Sequence, residues 1–310
     1  MAVATSGGAT RRRGSLERQN RAGWLFSLPG VVLLGVLLFL PFVLAVYFSF
    51  QYYKIGSPIA PHWIGLRNYR ELLSDGDFRK SLFNTLLFAG IVMPVQTGLA
   101  LLLAIMVNQT LPGMAVFRTI FFAPVVTVMV AAATIWKLLL DPDRGGVNAL
   151  IDVFTGGTHP GWMIDSNWAL LGIILASLWQ GVGFQMVILL AGLQGIAASL
   201  YEAASMDGAS KWQQFRNITL PGVRNTLIFV STVTAILSFR LYDQARVMAP
   251  NGDGSPDGAT LTIMTQAGKY ATDRSLIGKG SAIAVILFFI VIGITVIQRI
   301  VLRESRDAPA

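Results

Sequence analysis

The sequence predicts an all-α polytopic membrane protein with six transmembrane helices. Three observations predict it. Of its 310 residues, 54% are hydrophobic and 13% charged, against about 25% charged in an ordinary soluble domain. Uncharged stretches occur at Ala22–Tyr53, Ser81–Phe117, Thr119–Trp136, Ser166–Tyr201, Asn225–Phe239 and Ser281–Gln298, and a bilayer core of ~30 Å needs about 20 apolar residues in helix. The runs are continuous rather than alternating, which excludes a barrel and leaves helices.

In order, the spans are expected at about 24-51, 82-108, 119-140, 167-193, 222-243 and 281-301, within a domain covering 24-303. The third and last runs reach full length only by including Lys137 and Arg299, whose long stems can snorkel. The fifth is the weakest and needs Arg240, and with it Tyr242–Asp243, inside the span. Residues 1-23 are small, basic and polar and read as a disordered tail; 304-310 form a second tail. The first apolar run is too long for a signal-peptide core and reads as an uncleaved span.

The net charge is +8, but its placement argues against nucleic acid. Arg11, Arg12, Arg13, Arg18 and Arg21 precede the first span, and Arg299, Arg303 and Arg306 close the last. Such clusters stay on the cytoplasmic side, so with six spans both termini are expected there. Lys and Arg in total divide evenly between the two sides. The orientation therefore rests on the N-terminal cluster against lone Lys54 beyond the first span.

The external segments are then His62–Lys80, Asp141–Asp165 and roughly Tyr242–Lys279. Trp63, Tyr69, Trp162 and Trp168 suit an interfacial aromatic belt. The turn-rich run Pro250–Gly258 superficially resembles a calcium loop, but no Glu follows at the spacing an EF-hand needs. The chain has no cysteine and two histidines, which excludes disulfides and makes a histidine metal site improbable. No phosphate-binding loop and no nucleophile elbow are present, so ATP hydrolysis is not expected in this chain.

Residues 194–224 form a polar loop between two apolar runs. Leu200, Ala203, Ala204, Gly208, Trp212 and Phe215 recur mostly at steps of three and four, the stripe of an amphipathic helix. Gly208 weakens that helix and invites a turn or a close contact. Asp207 and Lys211 are spaced to pair one turn apart on the opposite face, and Pro221 ends the pattern. Periodicity alone reads as a membrane-surface helix.

Glu202-Ala203-Ala204, three residues, Gly208, nine residues and Ile218-Thr219-Leu220-Pro221 resemble the signature loop of importer-type ATP-binding-cassette (ABC) permeases. The resemblance implies that Glu202, Ala203, Ala204, Asp207, Gly208, Ile218, Leu220 and Pro221 form coupling helices that seat in a separate ATPase subunit. Phe117–Pro124, Ile135–Pro142 and Gly146-Val147-Asn148 look like the third span and following loop of sugar-type members. Ile64–Tyr69 with Asn84-Thr85 is similar to their first external loop and second span. The subgroup resembled contains the maltose, multiple-sugar and glycerol-3-phosphate permeases. It implies a second homologous permease, ABC ATPase subunits carrying ATP and Mg, an extracytoplasmic solute-binding protein, and a place in the bacterial inner membrane. No cofactor is expected in this chain, and no nucleic acid. The expected solute is a sugar or sugar-like polyol; the alternative is glycerol-3-phosphate or a glycerophosphodiester.

Polar residues inside spans are costly and point to function. In the fourth span these are Ser177, Trp179, Gln180, Gly181, Phe184 and Gln185; by the resemblance, Ser177, Gly181 and Phe184 fall where sugar contacts lie. Ring stacking and amide hydrogen bonds suit a carbohydrate; helix–helix packing through Gly181 and Gly183 is the competing reading. In the fifth span the candidates are Ser238, Arg240, Leu241, Tyr242 and Asp243. The family usually carries an amide or small polar residue near Arg240, so arginine is a departure. It suits an anionic solute, or it pairs with Asp243, the preferred reading. A secondary transporter would have only Arg240 and Asp243 for ion coupling, and a membrane enzyme would need an acid–base cluster that the sequence lacks.

Overall fold

Backbone groups in lipid must be satisfied within their own segment, and the apolar runs accordingly form helices. The computed structural model describes residues 23–24, 26–109, 111–157, 159–251 and 254–301. The tails expected at 1-23 (all but Gly23) and 304-310, and residues 252–253 of the turn-rich loop, lie outside the described residues. In chain order the helices are α1 (Phe26–Ser49), α2 (Arg67–Ser74), α3 (Gly76–Val107), α4 (Met114–Val126), α5 (Met129–Leu139), α6 (Gly146–Thr155) and α7 (Ser166–Gln194). They continue with α8 (Ala198–Met206), α9 (Lys211–Gly222), α10 (Arg224–Phe239), α11 (Asp243–Met248), α12 (Ile263–Gly268) and α13 (Ile277–Val301). A two-residue hairpin, β1 (Gln51–Tyr52) against β2 (His62–Trp63), follows α1, with Gln51 opposite Trp63.

Helices α1, α3, α7 and α13 are each long and apolar enough to cross a membrane. Two bent pairs, α4 with α5 at 98° and α9 with α10 at 65°, bring the possible spans to six if each pair counts as one. The third expected span is thus not one helix. Pro124 cannot donate to the preceding turn, and at Thr127 and Val128 the backbone turns extended, with ψ of 132° and 130°. The fifth span stops at Phe239 rather than reaching 243. The second begins at Gly76 rather than near 82, because Asp75 caps it by accepting from the Asp77 amide at 2.9 Å. Charged residues of that first turn are exposed, so a search for uncharged runs misses it.

Helices α3 and α7 pack side by side and form the centre, with α10 against both, α4 along α7, and α13 against α1. Helix α1 leaves its Val31–Leu44 side chains largely exposed and touches α13 through Phe42 and Phe288, 4.4 Å apart. Lys137 does not snorkel outward. Its Nζ donates to the Val247 and Ala249 carbonyls at 3.1 and 3.3 Å, closing the end of α11.

The loops beyond α1, α3 and α13 are tied down by buried polar groups. Asn68 Nδ2 donates to the Ser49 and Gln51 carbonyls, each at 2.9 Å. Asn84 Nδ2 donates to the carbonyls of Gly258, Ala259 and Leu261, pinning the turn-rich segment to α3. Trp162 is not a belt residue: it is buried and donates its indole N–H to Asn148 Oδ1 at 2.7 Å. Tyr270 donates to Asp75 Oδ2 at 2.6 Å. Burial, then that carboxylate, pushes the phenol up to about 12. Burial works to raise Asp75, but the Tyr270 hydroxyl and the helix amides outweigh it and hold the carboxyl below its usual range. Glu71 is also held low, first by Lys279 (2.6 Å) and then by Arg67 (2.8 Å).

Candidate functional site

The central helices, the α4–α5 break and the chain leaving α10 surround a cavity of about 410 Å³. Helix α7 supplies Ser177, Gln180, Gly181, Phe184 and Gln185, which at i, i+3, i+4, i+7 and i+8 share one face. Helix α3 adds Phe88, Val92 and Gln96, and α10 adds Thr234, Leu237 and Ser238. The break after α4 adds Val125 and Met129, and the chain leaving α10 adds Arg240, Leu241, Asp243 and Gln244. Two expected residues lie elsewhere. Trp179 packs edge-on against Trp136 at 6.0 Å and is 40% exposed; Tyr242 lies against Gly268, where an added Cβ would come within 2.9 Å of its ring.

The hydroxyls of Ser177, Thr234 and Ser238 each donate their one proton to a carbonyl four residues back on their own helix, at 2.7–2.8 Å. Only oxygen lone pairs remain for a guest. Gln185 Nε2 donates to Thr234 Oγ1 at 2.6 Å, while Gln185 Oε1 is buried with no protein donor. Gln180 Nε2 donates to the Thr127 carbonyl at 3.1 Å, serving an acceptor that the α4–α5 break leaves without a helical partner. Gly183 is tight on the Phe121 carbonyl of α4 and leaves no room for a Cβ, whereas a Cβ at Gly181 would have to displace the flexible amide of Gln96. The packing role of Gly183 is therefore real, while Gly181 faces Gln96 and lines the cavity.

The wall is thus rich in acceptors, with the rings of Phe88 and Phe184 between them, and Arg240 and Asp243 face the same space. These two form no ion pair, contrary to the pairing expected from their spacing. The spacing belonged to a continuous helix. The helix ends at Phe239 and α11 starts at Asp243, with Tyr242 between at φ −130° and ψ −61°, so the two side chains are not on one helical face. Arg246 takes an acid instead, Asp273 at 3.1 Å.

At the far end of α7 the loop folds as two helices, not one. Gly208, at φ +77°, turns the chain between α8 and α9, a left-handed conformation that costs an L side chain about 1–2 kcal/mol. Leu200, Ala203 and Ala204 are therefore on α8, and Trp212 and Phe215 on α9. Asp207 ends α8 and does not pair with Lys211, whose Nζ instead reaches Gln214 Oε1 at 3.5 Å. Ser210 and Gln213 make a reciprocal capping box that starts α9. The two helices are stitched by Gln214 to Ser205 (2.9 Å) and Tyr201 to Thr219 (2.9 Å). Their outer surface shows Glu202, Ala203, Asp207, Leu220 and Pro221, with Met206 89% and Trp212 68% exposed; Ala204 and Ile218 are half-buried.

Residues 76–306 match the family of binding-protein-dependent transport system inner membrane components. The chain belongs to that family. The trehalose/maltose transport system permease protein of Thermococcus litoralis is 32% identical over 290 residues, covering 94% of this chain and 96% of that one. The lactose transport system permease protein of Rhizobium radiobacter is 32% identical over 257 residues, covering 82% and 85%. A chain from a bacterial ABC transporter involved in import of the acidic polysaccharide alginate superposes with a TM-score of 0.81 at 20% identity, covering 96% and 100%; the fold is shared. This permease is a multi-pass membrane protein of the ABC transporter class. Residue reading alone had not placed Phe88, Gln96, Thr234 or Gln244 in its cavity. Gln96 carried a legible signal, as the one amide between Asn84 and Asn108 in an otherwise apolar run. Thr234 did not, since a lone threonine in a helix ordinarily bonds its own backbone.

Proposed function

We propose that this permease is one transmembrane subunit of an ATP-driven importer and passes a neutral sugar or sugar-like polyol through the cavity between α3, α7 and α10. The observation that carries the reading is the acceptor-rich wall set with phenyl rings. A polyhydroxylated ring brings the donors that the Ser177 and Ser238 hydroxyl oxygens and Gln185 Oε1 lack, and an apolar face to lie on Phe184. The printed names of the relatives, trehalose/maltose and lactose among them, agree with it. The exposed surface of α8 and α9, from Glu202 through Gly208 to Pro221, docks on separate ATPase subunits that hold ATP and Mg. A second homologous permease completes the pathway, and an extracytoplasmic binding protein delivers the solute. Both termini and the α8–α9 loop face the cytoplasm, in the inner membrane. ATPase closure then pulls α8 and moves α7 and α10 as packed bodies, which alternates access to the cavity.

Uptake of radiolabelled trehalose, maltose, lactose and glycerol 3-phosphate, in cells lacking and regaining this chain, tests the reading. Expected is loss and recovery of a neutral sugar, with Gln185→Leu lowering it about 2–10-fold at unchanged protein level, the worth of one neutral hydrogen bond. Loss of glycerol 3-phosphate uptake alone would overturn it. That outcome would favour the second reading, an anionic solute, for which the specific observation is Arg240 facing the cavity with no carboxylate in ion-pair range.

A further inference from the structure

We propose that α6 is a membrane-interfacial helix whose outer face rests on lipid, in the leaflet opposite α8. Apart from Thr155, which lies off the stripe at the C-terminal end, its exposed positions are Gly146, Ala149, Leu150, Val153 and Phe154, spaced as one helical stripe. None has a polar side chain. Leu150, Val153 and Phe154 are 67%, 76% and 87% exposed, and so large an uncharged patch on one short helix marks an interaction surface.

The stripe is held outward by its surroundings. Val147 and Ile151 pack inward on the apolar cluster that contains Ile173 and Met248. Asn148 is buried beside them, donating to the Pro142 and Pro160 carbonyls at 3.2 and 3.3 Å and accepting from Trp162. Asp152 meets His159 Nδ1 at 2.8 Å. Both of the remaining faces are occupied, so α6 cannot roll its apolar side under.

Continuity identifies the occupant as lipid. Gly146 begins the stripe beside Leu139, whose Cδ2 would be 3.8 Å from a Cβ placed there. Leu139 and Leu138 belong to the exposed apolar surface of α5, part of the bent membrane pair. The apolar surface therefore runs from the bilayer segment onto α6 without a polar gap. Exposed Asp143 and Arg144 stand at the N-terminal end of the helix, where headgroups and water would meet them, the arrangement of a helix lying in the interface. Helix α7, with 29 residues at ~1.5 Å each, separates α6 from α8 by a full bilayer.

The proposal requires only that the chain sits in a membrane. This cysteine-free chain allows a direct test with single spin labels at Leu150→Cys, Val153→Cys, Phe154→Cys and, as the smallest change on the same face, Ala149→Cys. They are read in membrane vesicles from cells expressing the full chain with its partner subunits. Expected is a collision rate with oxygen several-fold higher, relative to a water-soluble nickel chelate, than for a label at Asp143→Cys. Chelate access at Phe154 equal to that at Asp143 would place the face in water. Immobilised spectra closed to both probes would place it against protein. Either result overturns the proposal.

Discussion

Arg240 departs from the resemblance, and the structure leaves it facing the cavity without Asp243. Because it is exposed and unpaired, Arg240→Gln should leave protein level unchanged, within about 0.5 kcal/mol. Uptake of a neutral sugar should change less than about twofold, whereas an anionic solute would lose about 1.5–3 kcal/mol of a charge-assisted bond. Adding Asp243→Asn should then be additive rather than restorative, measured as uptake and as membrane protein level. Gly208 makes a second case. Open space surrounds it, with nothing within 4 Å of an added Cβ, so its constraint is conformational. Gly208→Asn should retain more transport than Gly208→Val, since Asn visits the left-handed region and a β-branched residue resists it; equal loss in both, at equal protein level, would point to docking sterics alone.

At the scale of elements, breaks in helices set the cavity, and each break depends on a partner. Gln180→Leu would leave the Thr127 carbonyl unpaired and should cost about 1–3 kcal/mol, read as a lowered melting temperature of the purified chain in detergent. The clamp that ties α2 to α13 and to the turn after α12 makes a pH prediction. Glu71 and Asp75 have lowered pKa values, so their stabilisation is complete above the ordinary values of 4.5 and 3.8 and is lost as pH falls below them. Tyr270 has the opposite sign: its contribution is complete below 10 and lost as pH rises toward about 12. A melting-temperature profile should therefore fall at both ends, and Tyr270→Phe should flatten the alkaline limb. Apolar runs in the sequence located α1, α7 and α13 and the bodies of α3 and α10, but gave no sign of α2, α6, α11 or α12; they also misjudged α5, α8 and α9, because a run of apolar residues reads the same whether or not the backbone turns within it.

Across the whole molecule, the ends of α7 must lie on opposite sides of the bilayer. Ser210→Cys should resist an impermeant thiol reagent in intact cells, while Asp143→Cys should react. Labelling at Ser210 with protection at Asp143 would reverse the orientation, which rests on the basic residues before α1. Nine of the eleven cavity candidates do line the cavity, and the α7 five did so because they share one helical face. Trp179 was separable from them by that same spacing. Phe88, one apolar residue among many on α3, required knowing that α3 packs on α7.

What the sequence by itself determined is the helical class, the membrane setting and the signature pattern of the loop after α7. Lipid offers no partner to a bare backbone, so long uncharged runs have no alternative to helix, and Glu202 through Pro221 sits in local order along the chain. Tertiary structure decided where those helices break and which polar atoms face inward. The turn after Thr127 depends on an amide 53 residues further along the chain. The parting of Arg240 from Asp243 depends on α10 ending at Phe239, where α11 packs against α5. Such choices rest on hydrogen bonds and contacts between segments far apart in sequence, which no local period encodes.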